Sequence, residues 1–222
     1  MQIPMTSDYP YIDDDYIVAV KESGLPTVPL KGQEEVSLLS RVASDFPEVL
    51  MPCGRNPWEG LTLHRLDTLT SGLVIFARNE NAFRKAMELQ EEGRFVKFYK
   101  AYYENKAKTD GFEEFPYEFR KGTVIRSAFR AYGEGRKAVR PVLNNKYRLK
   151  DASGFYETRI EEVHEDYAVL SLRKGFRHQV RCHMAWSGRA LIGDELYGAD
   201  PSMEFGLNAY KIRLGDLLEV EI

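Results

Sequence analysis

The run from Leu63 to Ala77, Leu-His-Arg-Leu-Asp-Thr-Leu-Thr-Ser-Gly-Leu-Val-Ile-Phe-Ala, limits the fold more than any other stretch of this chain. Its last five residues, Leu73 to Ala77, form a short continuous apolar run of the kind that makes a buried strand. Ahead of it His64, Arg65 and Asp67 crowd into four residues, and a Thr70-Ser71-Gly72 turn signal separates the two parts. A polar loop is therefore delivered to the edge of a buried strand. A catalytic carboxylate needs such support, because a displacement of about 1 Å can cost about a hundredfold in rate. The residues alone leave a second reading open, in which Asp67 caps the turn by accepting N–H groups from Thr68 to Ser71.

The chain has 222 residues, 43% of them hydrophobic and 29% charged, enough for a substantial core. One large domain and two tightly joined lobes both fit that length. Met1 to Asp15 contains no basic region followed by an apolar run, and no segment approaches a membrane span, so a cytoplasmic location is expected. Two cysteines, Cys53 and Cys182, make neither a disulfide framework nor a thiol metal site.

A net charge of −3 argues by itself against a nucleic-acid binder, but the charge is segregated. Residues 120–150 carry ten lysines and arginines against Glu134 alone, and residues 171–189 carry five against no acid. Such separation is the footprint of a face that meets a polyanion, or of a solvated basic face balanced by acids elsewhere.

Tyr16 to Val20 reads as a strand, ended by the stiff Gly24-Leu25-Pro26-Thr27-Val28-Pro29 segment. Helical spacing runs from Val36 to Phe46 and stops at Pro47; Met51 to Gly60 reads as a loop. Asn79 is a candidate N-cap for a helix with Phe83, Ala86 and Met87 on one face and Gly93 as its stop. Alternation from Val96 to Tyr103 predicts a strand with Lys97, Tyr99, Ala101 and Tyr103 on one face. Asp110 to Lys150 reads as a loop-rich basic excursion with a turn at Gly133–Arg136, and Tyr156–Ile160 and Tyr167–Arg173 as a strand pair. Gly175 then opens a helix from near Arg177, which would put Arg177 and Arg181 on one face, turn Val180, Met184 and His183 inward, and offer N–H groups to a phosphate. His178 and His183 are five apart and match no metal-binding spacing.

Several of these stretches together resemble a known family. His64-Arg65-Leu66-Asp67-Thr68-Leu69-Thr70-Ser71-Gly72 is similar to the HRLDxxTSG signature of the RluA-type pseudouridine synthases. Lys97-Phe98-Tyr99-Lys100-Ala101 resembles that family's KxYxA strand, His178 to His183 its HQ(I/L/V)RxH helix, and Ile192 to Gly198 its (I/V)GDxxYG turn. Asp14 to Lys21 and Gly24-Leu25-Pro26 fit its opening strand and loop. The chain departs from the pattern at Val20-Lys21-Glu22, commonly Asn-Lys-Pro, and at Gly175-Phe176-Arg177, usually Gly-Arg-Thr or Gly-Arg-Ser.

The resemblance implies a single catalytic domain over residues 1–222 with an α+β pseudouridine synthase fold, a mixed, largely antiparallel sheet with a central cleft flanked by helices and loops. It implies a shortened last strand after Asp216, and recognition resting on the catalytic domain itself, since little chain precedes Ile12. The implied reaction isomerises uridine in RNA, a stem-loop of ribosomal or transfer RNA, and needs no cofactor, metal, membrane or obligate protein partner. Asp67 would be the catalytic carboxylate, Arg181 its ion-pair partner and Tyr99 the group against the uracil. His64, Arg65, Lys97, Arg177, His178 and Gln179 would contact the RNA. Two alternatives use the same residues: an inactive RNA-binding module of this fold, and a metal-dependent hydrolase built on Asp67, His64 and His178. The presence together of Asp67, Tyr99 and Arg181 weighs against the first, and the missing metal spacing against the second.

Overall fold

The computed structural model describes residues 7–30, 36–53, 56–143 and 154–222. In chain order its elements are β1 (Tyr11–Ile12), β2 (Tyr16–Lys21), α1 (Leu38–Asp45), β3 (Ser71–Ala77), α2 (Glu80–Glu91), β4 (Phe95–Glu104), β5 (Val124–Tyr132) and β6 (Ala138–Val142). There follow β7 (Tyr156–Val163), β8 (Tyr167–Leu172), α3 (Gln179–Trp186), β9 (Ala190–Leu191), β10 (Leu207–Leu214) and β11 (Leu218–Glu221). This is the mixed, largely antiparallel α+β class that the family resemblance implies. The chain divides into two compact units, Met1–Lys97 with Asn208–Ile222, and Phe98–Leu207.

In the first unit the strand order is β1-β2-β3-β10-β11. β2 runs antiparallel to β3 over its whole length, from Tyr16 opposite Ala77 to Lys21 opposite Gly72. β3 lies parallel to β10 at Ser71 and Gly72, and β11 folds back antiparallel on β10. The expected buried strand is present: every residue from Gly72 to Ala77 is buried. α2 begins where the sequence places it, with Asn79 Oδ1 accepting the Ala82 N–H at 2.9 Å. It packs Ala82, Phe83, Ala86 and Leu89 into one core with Leu73, Ile75, Ile212, Leu214 and Leu218. Each buried leucine, isoleucine or phenylalanine among them contributes about 1.5–3 kcal/mol. α1 starts later than its periodicity suggests, because Ser37 and Ser40 form a reciprocal capping box that sets the first turn at Leu38 and leaves Val36 exposed.

The second unit has strand order β4-β8-β7-β5-β6, with β9 on β4. β4 keeps the expected alternation: Tyr99, Ala101 and Tyr103 are buried here, as is Lys97 on the stretch of β4 that belongs to the first unit. β7 and β8 form the expected antiparallel pair, with a bulge at Ile160/Glu162. The loop-rich excursion expected over Asp110–Lys150 is corrected by the structure, since β5 and β6 pair antiparallel from Ala128/Val142 to Tyr132/Ala138 around the Gly133–Arg136 turn. Its basic residues concealed the pattern: Arg126 is exposed and Arg130 and Arg140 half-buried, while Ile125, Ser127, Phe129 and Val139 are buried. Residues 144–150 of that stretch lie outside the described residues.

A second correction concerns α3. It starts at Gln179, not near Arg177, because His178 takes a left-handed backbone conformation (φ 56°, ψ 20°) and ends the preceding turn. Arg177 therefore precedes the helix and shares no helical face with Arg181. All eight residues of α3 are buried, including Gln179, Arg181 and His183. A helix of that kind is stable only if its polar side chains find partners inside the protein.

Candidate active site

Asp67 sits half-buried in a loop whose main chain is clamped from the segment after β2. Thr27 Oγ1 accepts the Leu66 N–H at 3.1 Å and donates to the Leu66 carbonyl at 3.0 Å. Gly24 N–H donates to the Thr68 carbonyl at 2.9 Å and Ser23 Oγ to the Leu69 carbonyl at 2.7 Å. Thr70 N–H closes the turn on the main-chain carbonyl of Asp67 at 3.0 Å. On the strand side Asn208 Nδ2 donates to Ser71 Oγ at 2.9 Å. Gly72 has φ +116°, and a Cβ there would lie 2.4 Å from the Ala209 carbonyl oxygen, so only glycine lets β3 and β10 approach this closely. The turn thus closes at Thr70, ahead of the expected Thr-Ser-Gly signal, and Ser71 and Gly72 already belong to β3, where the glycine serves strand packing.

Lys21, the last residue of β2, was absent from the residues the sequence nominated. It is fully buried, and its Nζ donates to the carbonyls of Glu22 at 2.9 Å, Leu25 at 2.6 Å and Thr68 at 2.9 Å. Burial pushes its pKa down to about 8, and the charge of Asp67 opposes that fall. An ammonium held against the loop reciprocally favours the ionised form of Asp67. Its signals in the sequence are a lysine closing an otherwise apolar strand and its match to the lysine of the family's Asn-Lys-Pro. Replacing Lys21 by Met leaves three carbonyls without their donor and is expected to lower the free energy of unfolding by about 2 kcal/mol, as a urea titration would measure.

His64 Nε2 accepts the Ile75 N–H at 3.3 Å, which assigns the ring proton to Nδ1. Nδ1 is buried and has no partner among the described residues. The ring meets Phe95 edge-on at 5.3 Å, and burial, assisted by the charge of Lys97, holds its pKa well below the usual value. Lys97 is buried over the Phe95 ring, 4.5 Å from Nζ to centroid, and burial pushes its pKa down to about 8. Arg65 is more than half exposed and pairs with Glu59 at 2.8 Å. The structure thus brings His64, Lys97 and Phe95 together, and ties Arg65 to the preceding turn.

The other nominated residues belong to the second unit. Tyr99 is 6% exposed on β4. Arg181 and Asp194 form a buried bidentate pair, Nε to Oδ2 and Nη2 to Oδ1, both at 2.7 Å. The guanidinium also lies 5.3 Å from the Phe205 ring centre and 5.5 Å from that of Tyr197. Asp194 is the acid of the Gly-Asp-x-x-Tyr-Gly turn, and its contact with Arg181 was not anticipated. Gln179 has its amide engaged internally: Oε1 accepts the Phe176 N–H, and Nε2 donates to the Glu157 carbonyl and Thr158 Oγ1. His183 bridges Ser127 Oγ at 2.9 Å and Thr158 Oγ1 at 2.8 Å. Gln179 and His183, four apart, thereby anchor α3 to β5 and β7. Arg177 is exposed and donates to the Arg136 carbonyl at 3.0 Å. His178 lies edge-on to Tyr197, and its pKa falls to about 3 through burial and the charges of Arg181 and Arg177. The Gln179 N–H already bonds the Phe176 carbonyl, so the start of α3 is less open to a phosphate than its sequence implies.

Burial likewise pushes the pKa of His183 down to about 3. Between about pH 6.5 and pH 3 the unfolded chain binds a proton there that the native state refuses, so stability falls as the pH drops through that window. The slope is about 1.4 kcal/mol per pH unit for this one residue. Urea unfolding between neutral pH and about pH 5 should show the loss, and a flat profile would contradict it.

The family described as RNA pseudouridylate synthase matches residues 15–186. The chain belongs to the RluA-type RNA pseudouridine synthase family. It is similar to an RNA pseudouridine synthase of Chloroflexus aurantiacus, 29% identical over 180 residues that cover 80% of this chain and 50% of the relative. Its likeness to ribosomal large subunit pseudouridine synthase D of Haemophilus ducreyi is 28% over 189 residues, 85% and 52% of the two chains. To the dual-specificity RNA pseudouridine synthase RluA of Vibrio vulnificus it is 28% over 200 residues, 87% and 70%. The chain thus spans about half the length of the first two relatives. Human RNA pseudouridylate synthase domain containing 1 and 4 share its fold, each with a TM-score of 0.62, at 20% and 18% identity. These likenesses cover 96% and 98% of this chain and 80% and 88% of the human chains.

Proposed function

We propose that this chain converts uridine to pseudouridine in a structured RNA, with Asp67 as the catalytic carboxylate. The observation that carries the reading is the clamped loop: a half-buried Asp67, held through the main chain of Leu66, Thr68 and Leu69, beside the buried ammonium of Lys21. Such a carboxylate is positioned before substrate arrives and kept ionised by a neighbour, as a nucleophile or base must be.

In the reaction the N1–C1′ bond breaks, the uracil turns, C1′ bonds to C5, the C5 proton leaves to solvent and N1 gains one. Atoms balance without an oxidant, reductant or energy source. Asp67 attacks C1′ or removes the C2′ proton. The family resemblance gives Arg181, oriented by its fork to Asp194, the role of an ion-pair partner in the reaction, and Tyr99 that of moving a proton of the base. Gln179 and His183 act as positioning residues for α3. The uridine leaves its stack to react, at a cost of a few kcal/mol. The basic β5–β6 hairpin, with the exposed Arg126 and Arg177 nearby in the same unit, supplies phosphate contacts to a stem-loop of ribosomal or transfer RNA.

The test is tritium release from cellular RNA labelled at C5 of uracil, with chelator in the buffer. Release is expected to continue in chelator. Loss of release on chelation would favour a metal-dependent hydrolase, and RNA binding without release from any RNA fraction would favour the binding module.

A further inference from the structure

Trp58 is 63% exposed, the most open large apolar side chain among the described residues, whereas the other tryptophan, Trp186, is 4% exposed. It stands on a single turn, Pro57–Glu59, that is held from three sides. Pro57 restricts the backbone at the first position. Gly60 follows with φ +53° in a space where a Cβ would lie 2.2 Å from the Val49 carbonyl oxygen, and the Leu61 N–H bonds that same carbonyl at 2.8 Å. Glu59 Oε1 accepts from Asn56 Nδ2 at 3.1 Å and from Arg65 Nη1 at 2.8 Å. The turn carrying the open indole is therefore rigid and bonded to the loop two residues ahead of Asp67.

We propose that Trp58 is a stacking platform for an unpaired base of the RNA beside the reacting uridine, with Arg65 placing a cation at the adjoining phosphate; this rests on the function proposed above. An indole gains nothing from standing open to water, and a stacked base covers its face without demanding a particular sequence. Because the turn is already ordered, little conformational entropy is lost when the base arrives. The half-open guanidinium of Arg65 matches a polyanionic strand rather than an apolar partner.

Tryptophan fluorescence tests this with the intact chain, titrated with a short oligouridylate and with an abasic strand of equal length and charge. Oligouridylate is expected to quench the Trp58 emission and the abasic strand to leave it unchanged; the Trp58→Phe variant, which retains Trp186, reports the buried background. Trp58→Ala should weaken oligouridylate binding about tenfold, with Trp58→Phe recovering most of the loss. Trp58→Ala should also leave the salt dependence of binding unaltered, whereas Arg65→Gln should reduce its slope by about one ion. In tritium release, Trp58→Ala should raise KM and spare kcat. Equal quenching by both strands, unchanged affinity of Trp58→Ala, or self-association that shields Trp58 before RNA is added would each overturn the proposal. Tritium release with no effect at Trp58 would remove this inference alone; base-dependent quenching without any release would remove the synthase reading and keep the platform.

Discussion

Asp67→Asn is expected to abolish tritium release, by more than about a thousandfold, while the protein still folds and binds RNA. The loop is held by Thr27, Gly24, Ser23 and Lys21 through main-chain atoms, so removing the carboxylate charge leaves those bonds in place. Asparagine keeps the shape and loses both nucleophilicity and basicity. Lys21 loses the opposing charge that supports its protonated form, so its pKa should fall further below about 8. Release and RNA affinity measured together separate chemistry from binding, and release within tenfold of wild type would remove Asp67 from the mechanism.

Asp194→Leu is expected to have the largest effect on stability, a loss of about 3–5 kcal/mol, because it removes the two-point carboxylate partner of the buried Arg181 guanidinium. Arg181→Met strands the Asp194 carboxylate and should cost a similar amount. The double variant, with neither charge left, should recover much of that loss, since an apolar pair of similar volume avoids desolvation altogether. Its activity should stay absent if Arg181 serves the reaction as well as the fold. Urea unfolding of the three variants gives the coupling energy, and tritium release from the double variant distinguishes a catalytic guanidinium from a structural one.

Where a feature depended on neighbours in sequence, it was legible. The β3 burial, the Asn79 cap and the β4 alternation that buries Tyr99 are set by residues a few positions apart. The β5–β6 hairpin was missed because its basic residues outweighed a short alternation. The start of α3 was read early because no residue type announces a left-handed His178.

By itself the sequence determined a polar loop placed against a buried strand, through apolar periodicity, and the family, through motif order; the α+β class followed only from that resemblance. Tertiary structure alone decided that Lys21 secures the Asp67 loop from 47 residues away, at Thr68. It also decided that Arg181 forks onto Asp194, that Gln179 turns inward, and that the inward His183 meets Ser127 and Thr158. Buried polar groups must each find a partner, and which donor meets which acceptor depends on the path of the backbone between them, which charge and spacing do not encode.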